Sequence, residues 1–241
     1  MLPSILCFSF IVSVFITVKN IIYEKERNLK ESMKMMGLKS SANWTAWFLT
    51  AFIYLLVAVI LYTIAMAIPL GEKGPVLAHT DLSVIFVFLL CYVISIISFC
   101  FLVSVFFDRA NVGAAVTGIL FFLSFVPVYA LTTGQYETMS RSAKLGSCIL
   151  SNTAMGLGAY IIGYYEKIGE GVQWSNMASP AVLNDNFSML DAMLMLLGDS
   201  AIYLTIMWYV DNVHPGKSGV PKPLYFPFMK SYWCGRNPAK Y

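Results

Sequence analysis

Glu24-Lys25-Glu26-Arg27-Asn28-Leu29-Lys30-Glu31-Ser32-Met33-Lys34-Met35-Met36-Gly37-Leu38 interrupts an otherwise apolar chain, and its pattern predicts a charged amphipathic helix over residues 24–38 between two hydrophobic segments. Ile22, Leu29, Met33 and Met36 fall at helical spacing on one stripe, while Glu26 and Lys30 form an i,i+4 pair on the exposed side. Gly37 stands where a helix C-terminus favours a residue free to turn left-handed. Such a helix lies on a membrane surface or acts as a lever against a partner. Spacing alone leaves both open.

The composition fixes the class. The chain is 58% hydrophobic, 12% charged and 15% aromatic, with a mean hydropathy of +0.69. That is far from the balance of a soluble domain and implies an all-α, polytopic membrane protein. Its 241 residues hold several spans of about 20 residues each, with no room for a large soluble domain besides.

Charge-free stretches run from Met1 to Val18, Ser40 to Gly71, Leu82 to Phe107, Ala110 to Tyr136, Leu145 to Tyr165 and Ala192 to Val210, the last broken by Asp199. Five predict spanning helices, at about residues 1–18, 44–68, 82–107, 111–132 and 189–210. Leu145 to Tyr165 differs: four glycines with Ser147, Ser151, Asn152 and Thr153 make it weakly apolar. Lys and Arg gather on the cytoplasmic side of short loops. If all six segments cross, the sixteen Lys and Arg divide evenly between the two sides. If residues 138–165 instead dip in and return, twelve fall on one side and four on the other. The bias therefore selects five spans with a re-entrant or surface helical hairpin at 138–165 on the outer face, and it makes residues 212–241 a cytoplasmic tail. Irregular backbone near Gly156 and Gly158 is then tolerable only where it is packed in protein or faces water. The first apolar run starts at Met1 with no upstream basic region and no cleavage site, which fits a signal anchor or a longer chain cut inside a span.

The string at 24–38, followed by Trp44, Ala46, Trp47 and Phe48, resembles the E-K-E-x-x-L-K-E-x-M-x-M-M-G-L signature of subfamily A of the ATP-binding cassette transporters. The resemblance continues through Phe99 to Asn111, Ser151-Asn152-Thr153-Ala154-Met155-Gly156, Gly219-Val220-Pro221 and Ser231-Tyr232-Trp233-Cys234-Gly235, and so covers nearly the whole chain. It implies an ABC-2 type, type V exporter-like bundle corresponding to the second through sixth spans of the first transmembrane domain. The first span, a large extracellular domain, both nucleotide-binding domains and the second membrane half would lie outside this chain. Residues 24–38 then correspond to the intracellular coupling helix, 138–165 to the extracellular helical hairpin, and the tail to a linker leading into a nucleotide-binding domain.

The activity so implied is ATP-driven movement of a phospholipid or sterol, in a plasma membrane or an endosomal or lysosomal-type membrane. Leu29, Met33 and Met36 would fill a groove on a nucleotide-binding domain while Glu26, Arg27 and Lys30 set its register. Partners would be membrane lipids, that domain and the second membrane half; no nucleic acid is expected. ATP and magnesium would enter only through those domains, so the chain itself is expected to hold no cofactor and no catalytic residue. The alternative is a truncated, non-transporting fragment that acts as an assembly or interfering module. A free-standing carrier would need internal repeats or paired intramembrane charges, and neither is present.

Several motifs carry less. Gly216-Lys217-Ser218 imitates the end of a phosphate-binding loop, but Asp211 occupies the first glycine position and the context is a Pro-rich tail. Cys7, Cys91, Cys100, Cys148 and Cys234 show no metal-binding spacing, and Cys148 alone is expected on the outer side, available to a further domain. Asn186-Phe187-Ser188 matches a glycosylation acceptor close to the last span. Asp108-Arg109 reads as a helix-end pair. Asp199, near the middle of the last span, would cost about 2.5 kcal/mol or more if ionised against lipid, so it must face protein or water. It is either a polar point on a substrate path or a packing residue hydrogen-bonded to Ser200, Tyr203 or Thr205. Met193, Met195 and Met207 with Phe121, Phe122 and Phe125 would make a soft surface for acyl chains or for ordinary packing.

Overall fold

The computed structural model describes residues 2–69, 77–132, 139–180, 187–214 and 222–228, helix and connection with isolated bridge residues such as the Pro180–Ser188 pair. The helices are α1 (Leu2–Glu26), α2 (Leu29–Met35), α3 (Ser40–Ala67), α4 (Leu82–Phe106), α5 (Ala110–Leu123), α6 (Val126–Thr132), α7 (Arg141–Ser147), α8 (Ser151–Ile168) and α9 (Met189–Val213). Five segments are long and apolar enough to cross a membrane: α1, α3, α4, α5 with α6, and α9.

α4 is the axis. It is apolar all round, and its buried residues fall on every face, as expected of a helix enclosed by others. α9, α3, α1 and α5 pack around it. α3 is the opposite case: only Ala51, Leu55 and Val59 are buried, one residue per turn on a single stripe, and Leu49, Ile53, Val57, Leu61 and Ile64 face outward. One such stripe seats a helix at the rim of a bundle, with its other faces left to hydrocarbon.

Two predicted helices are broken, each for a local reason. The expected continuous helix at 24–38 does not form. α1 runs on past Val18 to Glu26 because Ile21 and Ile22 are still buried in the bundle, and the chain then turns at Asn28, whose φ of +56° is a left-handed value that Asn tolerates better than most residues. α2 follows, ending at Gly37 with φ +99°, where the Leu38 N–H donates to the Met33 carbonyl in a Schellman-type stop. The second break falls inside the predicted span 111–132. Pro127, at the start of α6, has no N–H to offer the preceding turn and crowds the carbonyl four residues back, so α5 stops at Leu123.

The hairpin predicted at 138–165 is α7 and α8, extended at its far end to Ile168. It enters and leaves on one side. At its base, Arg141 of α7 meets Asp191 in the first turn of α9 (3.2 Å), and Glu166 near the end of α8 accepts from the chain just before α4. At its tip, the Tyr203 hydroxyl of α9 donates to the Ile149 carbonyl (2.9 Å). From Met189 to Tyr203 at 1.5 Å per residue, that contact lies about 21 Å down α9, past the middle of the helix. The hairpin thus runs in alongside α9 and returns to the end of the bundle from which it started.

Candidate functional site

The end of the bundle carrying residues 24–47, 105–110 and 211 holds a connected polar network and is called here the basic end. Lys25 and Glu26 there take up backbone groups that helix termini leave free. The Lys25 ammonium donates to the Val105 and Phe107 carbonyls (3.0 and 3.2 Å) at the close of α4 and pairs with Asp108 (2.9 Å). Glu26 accepts from the Ala110 N–H (2.9 Å), placing a carboxylate on the N-terminus of α5, where the helix dipole favours it. The short turn between α4 and α5 is thus held by two successive residues of α1, with Asp108 paired to Lys25.

α2 is tied to α9 by a second group. Lys30 pairs with Asp211 at 2.7 Å, with side-chain exposures of 15% and 16%. The second oxygen of Asp211 accepts from Trp44 Nε1 (3.1 Å), and the Lys30 ammonium lies over the Trp44 ring, 4.8 Å from its centre. Alongside, Trp47 Nε1 donates to Glu24 (2.5 Å). α2, α3 and α9 therefore meet at one half-buried charge pair with an aromatic wall. Glu24, Lys25, Lys30, Trp44, Trp47 and Asp211 line a small cleft there.

The residues expected to form a coupling surface divide accordingly. Glu26 and Lys30 do not pair with each other, because the break at Asn28 takes Lys30 off the α1 face and each finds a partner on another helix. Arg27 is exposed and stands over the Tyr23 ring at 5.3 Å. Ile22 does not share a stripe with the methionines: it is fully buried in α1, whereas Leu29, Met35 and Met36 are 48%, 83% and 80% exposed and Met33 is half-buried. Asp211, Trp44 and Glu24 were not singled out from sequence as site residues. Two tryptophans at the start of a span are the visible signal for Trp44, since such residues mark a membrane boundary.

The hairpin tip organises a second polar cluster. Pro127 interrupts α5–α6 and so frees carbonyls inside the bundle. The Asn152 amide donates to the Phe121 carbonyl (2.8 Å) and to Ser124 Oγ (2.7 Å), and Thr153 Oγ1 donates to the Ser124 carbonyl (2.8 Å). Asn152 in turn accepts from the Tyr92 hydroxyl (2.7 Å), and Ser151 meets Ser95 (2.7 Å). The polar, glycine-bearing sequence of α8 is therefore the partner set for a broken span, the condition under which irregular backbone is tolerated at membrane depth. Close approach also matters: a Cβ at Gly158 would lie 2.6 Å from Phe88 Cζ of α4.

Asp199 is 1% exposed, so it faces protein, but the expected hydrogen bonds are not made. The Tyr203 hydroxyl goes to Ile149, Thr205 bonds the Ala201 carbonyl, and Asp199 Oδ2 has no partner. Cys148 is likewise fully buried at the hairpin tip rather than available on an outer face. The methionine and phenylalanine group also separates. Met193 and Met207 are buried in α9, whereas Phe122 and Phe125 join Phe8, Pro3, Val126 and Tyr129 around an open apolar groove of about 570 Å³ between α1 and α5–α6. Phe8 stacks on Phe122 at 6.0 Å.

Gly216-Lys217-Ser218 lies outside the described residues, it follows helix α9 where a phosphate loop needs a strand, and Asp211 is committed to Lys30. Asn186 also lies outside the described residues. Among the described residues no group of three or more His, Cys, Asp or Glu is placed to hold a metal.

The profile of the family described as ABC-2 family transporter protein matches residues 1–209. Among curated relatives, the human Phospholipid-transporting ATPase ABCA3 is 44% identical over 238 residues, 99% of this chain and 14% of the relative. The rat ATP-binding cassette sub-family A member 2 is 39% identical over 238 residues, 98% of this chain and 10% of the relative. The bovine Retinal-specific phospholipid-transporting ATPase ABCA4 is 36% identical over 233 residues, 97% of this chain and 10% of the relative. The chain thus spans only a small part, 10 to 14%, of the length of these relatives.

Proposed function

Because the chain belongs to the ABC-2 family of transporter proteins, and is a multi-pass membrane portion of such a transporter, we propose that it lines the path of a phospholipid or sterol and receives the movement of a nucleotide-binding domain. The observation that carries this reading is the Lys30–Asp211–Trp44 junction. α2 presents Leu29, Met35 and Met36 outward at the basic end, an apolar surface that calls for a partner. Behind that surface, Lys30 fixes α2 to the last turn of α9, so a push on α2 enters the bundle through Asp211. The positive-inside rule puts this end in the cytoplasm, where a nucleotide-binding domain would sit. ATP and magnesium would be held by that domain, outside residues 1–241. The lipid class follows from two relatives, both phospholipid-transporting ATPases, and the groove between Phe8, Phe122 and Tyr129 is a surface that an acyl chain would fit.

The test is a charge exchange in the complete transporter, reconstituted in vesicles. Asp211→Ala should lower lipid movement per ATP hydrolysed while membrane insertion and nucleotide binding persist, and Lys30→Asp with Asp211→Lys should restore much of it. Met35→Asp with Met36→Asp should abolish stimulation of hydrolysis by lipid. Unchanged coupling in both Asp211→Ala and the methionine variant would overturn the reading.

A further inference from the structure

α9 ends at Val213, yet the chain does not leave it. The Lys222 N–H donates to the Asn212 carbonyl (3.1 Å), its ammonium to Asn212 Oδ1 (2.6 Å), and the Tyr209 hydroxyl to the Leu224 carbonyl (3.0 Å). Phe226, 1% exposed, packs 5.2 Å from the Trp208 ring and stacks on Tyr209 at 5.8 Å and 19°. Tyr209 lies one turn, about 6 Å, before the helix end. Residues 222–228 therefore sit beside the last turn of a spanning helix, not beyond it.

The surface to which this segment returns continues the lipid-facing side of α9. Ile202 and Ile206, 49% and 41% exposed, precede Tyr209 at i, i+4 and i+7 on one face. The returning segment turns outward Leu224, Tyr225 and Phe228, which are 68%, 62% and 90% exposed. Three large apolar or amphipathic side chains in seven residues, at the depth of a helix end, match the composition of a membrane boundary layer. The charge agrees. After Asp211 the sequence contains no Asp or Glu, and Lys217, Lys222, Lys230, Arg236 and Lys240 are its only charged side chains. A cationic, aromatic segment of this kind is attracted to the anionic headgroups of a cytoplasmic leaflet.

We propose that residues 222–228 are an interfacial anchor, seated on the lipid-facing side of α9 in the headgroup layer of the cytoplasmic leaflet, with Leu224, Tyr225 and Phe228 reaching the acyl boundary. The anchor holds the inner end of α9 at a fixed depth. It does so one turn from Asp211, whether or not the chain moves lipid.

The experiment places a benzophenone at the most exposed of these positions, Phe228→p-benzoylphenylalanine, in the full-length protein in its native membrane. Phe228 has little to lose in folding, and Ile202→p-benzoylphenylalanine serves as the reference for a lipid-facing site. On illumination, position 228 should form lipid adducts in yield comparable to position 202. Adducts to polypeptide alone would overturn the proposal and make the face a protein interface. Absence of both kinds of adduct at 228, with lipid adducts at 202, would overturn it by placing the segment in water.

Discussion

Replacing Asn152 by Ala should release the re-entrant hairpin without unfolding the spans. The side chain makes three buried hydrogen bonds, to Tyr92, Phe121 and Ser124, and is 2% exposed. Hydrogen bonds between helices in membrane proteins contribute on average about 0.6 kcal/mol and at most about 1.7, so three of them amount to about 2–5 kcal/mol. The upper half of that range is favoured, because removing Asn152 also leaves the Tyr92 hydroxyl and the Phe121 carbonyl without this partner in a water-poor site. At 1.4 kcal/mol per factor of ten, the undocked population rises about 30-fold at the low end and by a few thousand at the high end. Cys148, fully buried at the tip, reports it. Its labelling by a membrane-permeant maleimide, read by peptide mass, should accelerate by that factor, with Asn152→Asp in between because it keeps the acceptor for Tyr92 and loses both donors. Cys91 and Cys100 in α4 should stay protected. Unchanged labelling of Cys148, or an equal rise at Cys91 and Cys100, would refute the claim that α7 and α8 open as a unit held by Asn152.

The close approach of α8 to α4 predicts that Gly158→Val costs about 1–3 kcal/mol, because the added atoms meet Phe88. Gly163→Ala, where nothing lies within 4 Å, should be neutral or stabilising by up to about 1 kcal/mol through helix propensity, as thermal unfolding in detergent will show. At the other end of α8, burial alone would raise the Glu166 carboxyl, but hydrogen bonds from Thr80 Oγ1 (2.8 Å) and the Ala78 and His79 N–H groups outweigh it and hold the group below its ordinary value. A depressed carboxylate contributes its stabilisation above the unfolded value and loses it as pH falls through the lower, folded one. Amide exchange at Ala78 and His79, corrected for its intrinsic pH dependence, should therefore stay slow from neutral pH down through mild acid and quicken only below the usual carboxylate range. Glu166→Gln should be fast throughout; protection lost already near neutrality would contradict this.

What could be read from sequence depended on whether the physics was local. The five spans follow from apolar length; that α4 is the enclosed one was not read from the sequence, although no polar residue larger than Ser interrupts its inner turns apart from Tyr92. The hairpin followed from charge balance, an indirect but global constraint, and its polar residues marked it as different in kind. Breaks were harder. Pro127 was in plain view, yet the apolar run on either side of it favoured one continuous span, and only the carbonyl partners Asn152 and Thr153 make two helices affordable there. Asn28 ends α1 through a single left-handed residue inside a strongly helical pattern, a signal that periodicity averages away. The Lys30–Asp211 pair joins positions 181 residues apart, and no spacing rule connects them.

That pair also explains why α2 has a fixed position at all. A seven-residue helix does not hold itself together in water, since nucleation costs more than so few hydrogen bonds return. The Schellman-type stop at Gly37 secures one end, and Lys30, at the other, ties the helix to α9. Asp211, for its part, stands in the last turn of α9, where the helix dipole opposes a carboxylate by about 0.3–1 kcal/mol. Lys30 and the Trp44 indole together outweigh that opposition, since a charge-assisted hydrogen bond contributes about 1.5–3 kcal/mol. Each partner is therefore placed unfavourably for its own helix and favourably only for the other's. One charge pair and one indole thus join α2 to the end of α9. α9 also holds the hairpin tip through Tyr203, so one helix contacts both α2 and the tip.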